Sequence, residues 1–288
     1  MARTVAFLVL LAGCRFANQE QGEHRERLVS LSKQYSEIIY ALGAEKDLVA
    51  VDLSSTYPPE IKSLPTVGYH RALSAEGILS VKPTLILHDN NVGPEHVMRQ
   101  LEQLRIPMKV FAAKGEDIAA AKELVTEMGA YFHREARARA LNEKLDADMA
   151  KAAQAASLST SKPKVMVIHF GRAMNVYLTM TGASIAGRMI EWAGGEMAVK
   201  GERGMVQLSP EVVAQADPDV LLLTDFGYDR LATKDAVAGA LPGVATTRAV
   251  RNGRVHRVEE HDLVYIGPRT GENVLKLREL IHAGEHAR

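Results

Sequence analysis

The sequence predicts an α/β fold of two lobes with mostly parallel sheets, joined by one long connector helix. Three observations lead to this prediction. Short apolar runs alternate with helical patterns along the chain, one central segment has helical composition throughout, and a short motif recurs in both halves. At 288 residues, the chain is long enough for each lobe to bury its own core.

The overall composition is that of an ordinary globular protein. Lys and Arg together number 35, as do Asp and Glu, so the formal net charge is zero. Such a balance is not typical of a nucleic-acid-binding protein or of an unfolded chain. A neutral protein has no global field that steers anions, so we expect local groups to hold any anionic ligand.

The first 14 residues predict a secretory signal with a lipid attachment site. Arg3 precedes the apolar run 5–13, and Cys14 is the only cysteine of the chain. The run is too short for a permanent membrane span, which needs roughly 20 residues. The segment 11–14, LAGC, resembles the bacterial lipobox, in which the cysteine is acylated. We therefore expect a periplasmic protein with a lipid anchor at Cys14; the alternative is a short strand with an incidental cysteine.

Two sets of strands follow. In the first lobe, predicted at 26–133, the apolar runs 48–51, 84–87 and 109–111 indicate buried strands, and 118–128 has a helical pattern. In the second lobe, predicted at 163–288, the runs 165–168 and 220–223 indicate strands. The segment 185–193 between them predicts a helix that ends at Gly194 and Gly195.

The connector helix is predicted from the segment between the lobes. Residues 134–157 are rich in Ala, Glu, Lys, Leu and Arg and contain neither Gly nor Pro. This composition favours one long helix. Ser, Thr and Pro residues in 157–163 favour its end. We assign 134–160 to the connector.

The recurring motif consists of a serine, a glutamate, a proline and an apolar strand at identical offsets in the two halves. Its members are Ser74, Glu76, Pro83 and 85–87 in the first half and Ser209, Glu211, Pro218 and 220–222 in the second. Each serine is placed to cap a short helix whose first turn contains the glutamate. The motif therefore predicts an exposed glutamate at an equivalent position on each lobe.

Two lobes, one long helix and this glutamate pair resemble the ABC-importer binding proteins that carry siderophores, cobalamin and haem. The resemblance covers nearly all of the chain after Cys14. It implies Rossmann-like lobes, and it implies that Glu76 and Glu211 dock onto arginines of the permease dimer in the inner membrane.

Within that group, two motifs resemble the haem-binding branch. The run 64–77, LPTVGYHRALSAEG, is similar to the signature in which the tyrosine binds iron, and 267–270, GPRT, is similar to a second motif of the branch. The resemblance implies that Tyr69 is the axial ligand of haem and that Arg71 hydrogen bonds to its phenolate oxygen. A phenolate suits ferric haem, and an arginine supports it at any physiological pH.

A second iron ligand is less constrained by the sequence. His169 follows the predicted strand 165–168, where a loop is expected to open toward the cleft, and it is our candidate. His70 and His261 are other contacts to consider. Arg172 is the candidate partner of the haem propionates, and Arg269 is either a cleft residue or a structural one. Six residues are candidates for the apolar walls: Met174, Tyr177, Met180, Met205, Phe226 and Tyr228.

Other functions remain as alternatives. A ferric siderophore or cobalamin carrier would need no phenolate from the protein, so Tyr69 and Arg71 favour haem. A zinc or manganese carrier would need three or four converging His, Asp or Glu ligands, which the sequence does not indicate. A haem-modifying enzyme or a hydrolase is disfavoured because no catalytic motif occurs. We expect a monomer that is not an enzyme; the coordination number and the number of bound haems stay open.

Overall fold

A computed structural model of the protein describes residues 26–113, 115–171, 174–231 and 233–283. The predicted signal segment, Cys14 and Arg172 lie outside these residues. Within them, no helix combines the length and the apolar character that crossing a bilayer requires.

The first lobe contains a four-stranded parallel sheet in the order β2-β1-β3-β4. Its strands are β1 (Leu28–Ser30), β2 (Leu48–Val51), β3 (Leu85–Leu87) and β4 (Met108–Lys109). Its helices are α1 (Lys33–Leu42), α2 (Ala75–Ser80), α3 (Glu95–Gln103) and α4 (Ile118–Tyr131). Strands β2 to β4 lie where the apolar runs predict them, within one or two residues, whereas β1 was not predicted.

Helices cover both faces of this sheet and bury its central strands on both sides. Successive side chains of a strand point to opposite faces. Leu28 packs in one cluster with residues of α1 and α4 such as Ile38 and Val125. Its neighbour Val29 packs in the other cluster, with Ile78 of α2. The sheet is therefore the middle layer of the lobe.

The chain continues through α5 (Glu135–Ser157) into the second lobe. The strands there are β5 (Lys164–Gly171), β6 (Val176–Met180), β7 (Glu196–Met197), β8 (Met205–Gln207), β9 (Val220–Thr224) and β10 (Val255–Val258). The helices are α6 (Ile185–Trp192), α7 (Pro210–Ala216), α8 (Asp225–Asp229), α9 (Lys234–Ala240), α10 (Arg248–Arg251) and α11 (Thr270–Ile281). The sheet has the order β10-β9-β5-β6-β8, with β7 paired to β5.

This second sheet is mixed. Strands β7, β9 and β10 take part in parallel pairs, whereas β6 is antiparallel to both β5 and β8. Mostly parallel sheets were expected from the sequence, and the β5–β6 hairpin was not predicted. Among its turn residues, Asn175 has a φ of 54°, a backbone conformation that Asn tolerates better than most residues.

Helix α5 is the long helix that the sequence predicts, and it packs against α4 of the first lobe and α11 of the second. Both contacts need glycine. A Cβ atom at Gly129 of α4 would lie 2.4 Å from Ala138 Cβ, and one at Gly271 of α11 would lie 2.6 Å from Asp148 Cβ. The three helix backbones thus approach closely. The limits 26–133, 134–160 and 163–288 of the domains stay predictions.

The recurring motif forms the same unit in each lobe. The Ser74 hydroxyl accepts a hydrogen bond from the Gly77 amide at 3.0 Å, at the start of α2. The Ser209 hydroxyl accepts one from the Val212 amide at 3.3 Å, at the start of α7. Each helix leads to a strand that pairs in parallel with the first strand of its sheet. The predicted serine caps are confirmed.

Candidate functional site

A cleft between the lobes lies where the parallel strands end. We call its cavity of about 310 Å³ the cleft cavity. Residues that follow the carboxyl ends of five strands line it: Lys33 after β1, Ser54 after β2, Asn91 after β3, Asp225 after β9 and Glu260 after β10. The crevice beyond the carboxyl ends of strands is where open α/β sheets bind ligands. The cleft cavity is therefore the candidate site.

A second space of about 680 Å³, the side cavity, adjoins the first. Lys33, Arg71, Asn91 and Val264 line both cavities. The remainder of the side cavity includes Phe111 of the first lobe and Ile185, Tyr265 and Ile266 of the second. A ligand larger than the cleft cavity could extend past the shared residues into this space.

Tyr69 lines the cleft cavity, and several backbone hydrogen bonds hold the loop on which it lies. Thr66 forms a β-bridge with Val51, the last residue of β2. The Leu53 amide then donates to the Gly68 carbonyl at 2.8 Å, and Gly68 has a φ of 107°, which a residue with a side chain rarely adopts. The next turn closes with the Ala72 amide donating to the Tyr69 carbonyl at 2.7 Å. The loop thereby presents Tyr69 beyond the sheet.

Arg71 also lines the cleft cavity, and its guanidinium is hydrogen bonded to the side chain of Asn91. The Arg71 Nε and Nη2 atoms donate to Asn91 Oδ1 at 3.1 and 2.8 Å. The Tyr69 ring packs edge-on against His70, with ring centroids 4.4 Å apart. The hydrogen bond from Arg71 to a phenolate, which the resemblance implies, stays a prediction.

His70 lines the cleft cavity, supported by a carboxylate that the sequence analysis did not single out. Asp52 is fully buried and accepts hydrogen bonds from His70 Nδ1 at 3.2 Å, the Ser54 amide at 2.9 Å and the Ser55 hydroxyl at 2.6 Å. Burial alone would raise the pKa of Asp52, but these hydrogen bonds outweigh it and lower the pKa. Asp52 is therefore ionised at neutral pH, and its carboxylate accepts the hydrogen bond from His70 Nδ1.

His169 contributes to the cleft cavity from the second lobe. The sequence predicts that His169 lies at a loop after the strand 165–168. This placement is wrong, because β5 runs on to Gly171 through its antiparallel pairing with β6. His169 Nδ1 lies 3.3 Å from the Thr224 hydroxyl and 3.6 Å from the Glu260 carboxylate. Tyr69 and His169 thus face one cavity from opposite lobes.

Two of the six predicted wall residues line the cleft cavity. Met174 and Met205 do so from the β5–β6 turn and from β8, and they are 61% and 38% exposed. The other four do not line either cavity among the described residues: Tyr177, Met180, Phe226 and Tyr228. Met180 is a wrong prediction because it packs in the core of the second lobe against α6. The Tyr177 hydroxyl instead donates to the Gly227 carbonyl at 2.9 Å.

A buried polar cluster joins the lobes beside the cleft. Glu37 of α1 is 3% exposed and lies 2.5 Å from His261 Nε2 of the second lobe. It also accepts hydrogen bonds from the Tyr265 hydroxyl and from Arg269 Nε and Nη2, the latter two at 3.2 and 3.1 Å. Asp262 is a second partner of Arg269, at 2.7 Å. We call these five residues the interlobe cluster; it gives Arg269 a structural role.

Burial and charge decide the protonation of this cluster. Burial acts to raise the pKa of Glu37, but the hydrogen bond and charge of His261 and the charge of Arg269 outweigh it, so the pKa lies below its ordinary value. Burial and the Glu37 charge raise the pKa of Tyr265. At neutral pH, Glu37 is therefore a carboxylate and Tyr265 a neutral donor.

Further contacts between described residues cross from one lobe to the other. Lys33 Nζ lies 2.9 Å from Glu260 Oε1, within the cleft cavity. The Gln34 amide nitrogen donates to the Ile266 carbonyl at 2.7 Å, and Arg188 pairs with Glu116 at 3.2 Å. The lobes are therefore in contact along the cleft as well as through α5.

Glu76 and Glu211 lie away from the cavities. Each is exposed in the first turn of its helix, α2 or α7. The hydrogen bond from the Ser209 hydroxyl helps to lower the pKa of Glu211. Their exposure leaves both carboxylates accessible to a partner.

Solved structures with a similar fold carry names that describe haem binding. The periplasmic heme-binding protein RhuT from Roseiflexus sp. RS-1 is 35% identical, with a TM-score of 0.80, over 89% of this chain and 98% of that chain. A periplasmic heme-binding protein from Pseudomonas aeruginosa is 29% identical, with a TM-score of 0.78, over 90% of this chain and 93% of that chain.

Among curated proteins, the vitamin B12-binding protein of Pectobacterium atrosepticum is 26% identical over 200 residues, which are 69% of this chain and 71% of that protein. An ABC transporter substrate-binding lipoprotein of Bacillus subtilis, YvrC, is 26% identical over 262 residues, 89% of this chain and 80% of that protein. The model of the family described as periplasmic binding protein matches residues 28–260. The chain belongs to the periplasmic binding protein family.

Proposed function

We propose that the protein captures haem in the cleft between its lobes and delivers it to an ABC importer in the inner membrane. The observation that carries this proposal is the position of Tyr69 and Arg71 on the wall of the cleft cavity. RhuT and the Pseudomonas aeruginosa protein match nearly the whole chain, and both are named as heme-binding proteins, which supports haem as the ligand.

The residues of the cleft suit ferric haem. Iron(III) is a hard ion that accepts a phenolate oxygen, so the Tyr69 hydroxyl loses its proton on binding iron. Arg71, on the same wall, stabilises the phenolate by its charge. Met174 and Met205 offer flexible apolar contacts to the porphyrin. His169 faces the opposite side of the cavity and is our proposed second iron ligand, with Arg172 as a partner of the propionates.

A related ligand class remains the second candidate. The similarity to a vitamin B12-binding protein favours a cobalamin or a ferric siderophore. Such ligands bring their own metal coordination and would leave Tyr69 without a metal to bind. Only haem therefore gives Tyr69 and Arg71 a shared role.

A hemin titration of the protein that begins after Cys14 tests this proposal. We expect saturable binding with the charge-transfer band of a high-spin iron(III) phenolate; a low-spin spectrum would add His169 as a second ligand. Cyanocobalamin serves as the comparison ligand. Saturable cobalamin binding without saturable hemin binding would overturn the haem proposal and favour the second candidate.

We further propose that Glu76 and Glu211 dock to the permease while acylated Cys14 anchors the protein to a membrane. Reversing both charges, E76K with E211K, is expected to reduce hemin uptake into permease-containing proteoliposomes at least about tenfold, because each carboxylate would lose its basic partner. Hemin affinity should stay unchanged. The control E143K reverses a charge that is also exposed, on α5. Normal uptake by the double variant would contradict the docking role.

A further inference from the structure

The Lys33–Glu260 ion pair crosses the cleft cavity and has no role in the function proposed so far. Its atoms lie 2.9 Å apart, and the side chains are 19% and 21% exposed, so water screens the pair only partly. Lys33 comes from α1 of the first lobe and Glu260 from the short helical turn Glu260–Asp262 of the second. The Glu260 carboxylate thus already forms an ion pair with the Lys33 ammonium on the cavity wall.

The charges around this pair balance. Among the described residues that line the cleft cavity, Lys33 and Arg71 are the basic side chains with a permanent charge, and Asp225 and Glu260 are the acidic ones. Arg71 bonds to the neutral Asn91 amide, whereas Lys33 bonds to a carboxylate. A ligand that brings carboxylates into this cavity therefore competes with Glu260 for Lys33.

We propose that Lys33 is the recognition site for a carboxylate of the ligand and that Glu260 is the internal occupant that the ligand displaces. This inference rests on the proposed function, because the carboxylates are those of the haem propionates. The ammonium of Lys33 exchanges the Glu260 carboxylate for one propionate, so the cation never lies buried without a partner. The exchange makes the cleft select porphyrins whose propionates are free.

The surroundings of both side chains allow the exchange. Lys33 is the first residue of α1, where the Ser32 cap fixes the backbone while the long side chain reaches both cavities. The backbone amide of Glu260 donates to Asp225 Oδ1 at 3.0 Å, so only the side chain has to move. His169 Nδ1, 3.6 Å from Glu260 Oε2, is a nearby group to which the displaced carboxylate can turn.

The test compares hemin with hemin dimethyl ester, which keeps the iron and the ring but has no carboxylates. For the full-length protein, the ratio of the two dissociation constants measures recognition of the propionates alone. K33M is expected to reduce the preference for hemin by about tenfold. E260Q removes the carboxylate that pairs with Lys33, and it is expected to increase the preference for hemin over the ester severalfold. Neither variant alters Tyr69, and an absorption spectrum of hemin-loaded K33M equal to that of the loaded unaltered protein shows that the iron site is intact.

K200M is the matched control, because it removes a lysine whose side chain is 84% exposed on the second lobe. Its preference should equal that of the unaltered protein. If K33M and E260Q both keep that same preference while hemin still binds, the carboxylate exchange is wrong and the proposed function stands. If the unaltered protein binds neither porphyrin, the proposed function fails and this inference fails with it.

Discussion

Replacing Tyr69 with Phe is expected to speed hemin dissociation at least about 100-fold, because the substitution removes the oxygen that we propose as the iron ligand and leaves the ring in place. The high-spin phenolate spectrum should disappear, and the Soret band should shift. Stopped-flow transfer of hemin to excess apomyoglobin measures the dissociation rate, and absorption spectra of the loaded variant report the change of ligand.

Two further variants, a control and a variant of Arg71, are needed to interpret the dissociation rate of Y69F. Y131F removes the hydroxyl of a partly exposed tyrosine that packs against Phe111 and Phe132 of the first lobe, and it should dissociate at the normal rate. R71M keeps the phenolate but removes the charge that stabilises it, so we expect an intermediate rate with the band retained. An unchanged spectrum and rate for Y69F would exclude Tyr69 as the ligand.

The second large effect is expected at the interlobe cluster. E37Q should lower the free energy of unfolding by about 3 kcal/mol, because removing one charge of a buried network leaves the groups around it incompletely compensated. Arg269 would keep Asp262, and His261 and Tyr265 would face an amide in place of a carboxylate. Urea unfolding followed by circular dichroism measures the shift of the midpoint.

The same cluster should make stability depend on pH. The pKa of Glu37 is lowered in the folded protein, so its stabilisation is complete above the ordinary glutamate pKa of about 4.3 and is lost as the pH falls through the lowered value. E37Q should lose less stability than the unaltered protein over this acid range. E143Q, which removes an exposed carboxylate, is the control. A midpoint for E37Q equal to that of E143Q would show that the cluster does not stabilise the fold.

Features that depend on neighbouring residues were predictable from the sequence. The serine caps of α2 and α7, the exposed glutamates after them and the helix α5 all follow from local propensity. The family was also predictable, because the glutamate motif that recurs in both halves and the long helix between them can be read from the sequence.

Features that depend on distant partners were not predictable. The pairing of His70 with Asp52 requires the loop after β2 to return alongside that strand. Glu37 looks like a solvent-exposed helix residue until the second lobe supplies its partners. The extension of β5 past His169 likewise follows from its pairing with β6. One sequence signal was available: a polar residue directly after a buried strand, as at Asp52, marks the ligand edge of an α/β sheet.

The close contacts of α5 have a consequence for the modular recombination of such proteins. Because α5 meets α4 at Gly129 and α11 at Gly271, its sequence is matched to both lobes at once. A chimera that takes each lobe from a different parent should therefore keep Ala138 with Gly129 and Asp148 with Gly271, wherever the crossover is placed. The unit that can be exchanged is then a lobe together with the face of α5 that packs against it. A crossover inside or beside α5 should leave the packing undisturbed only if both the Gly129–Ala138 and the Gly271–Asp148 contacts are kept.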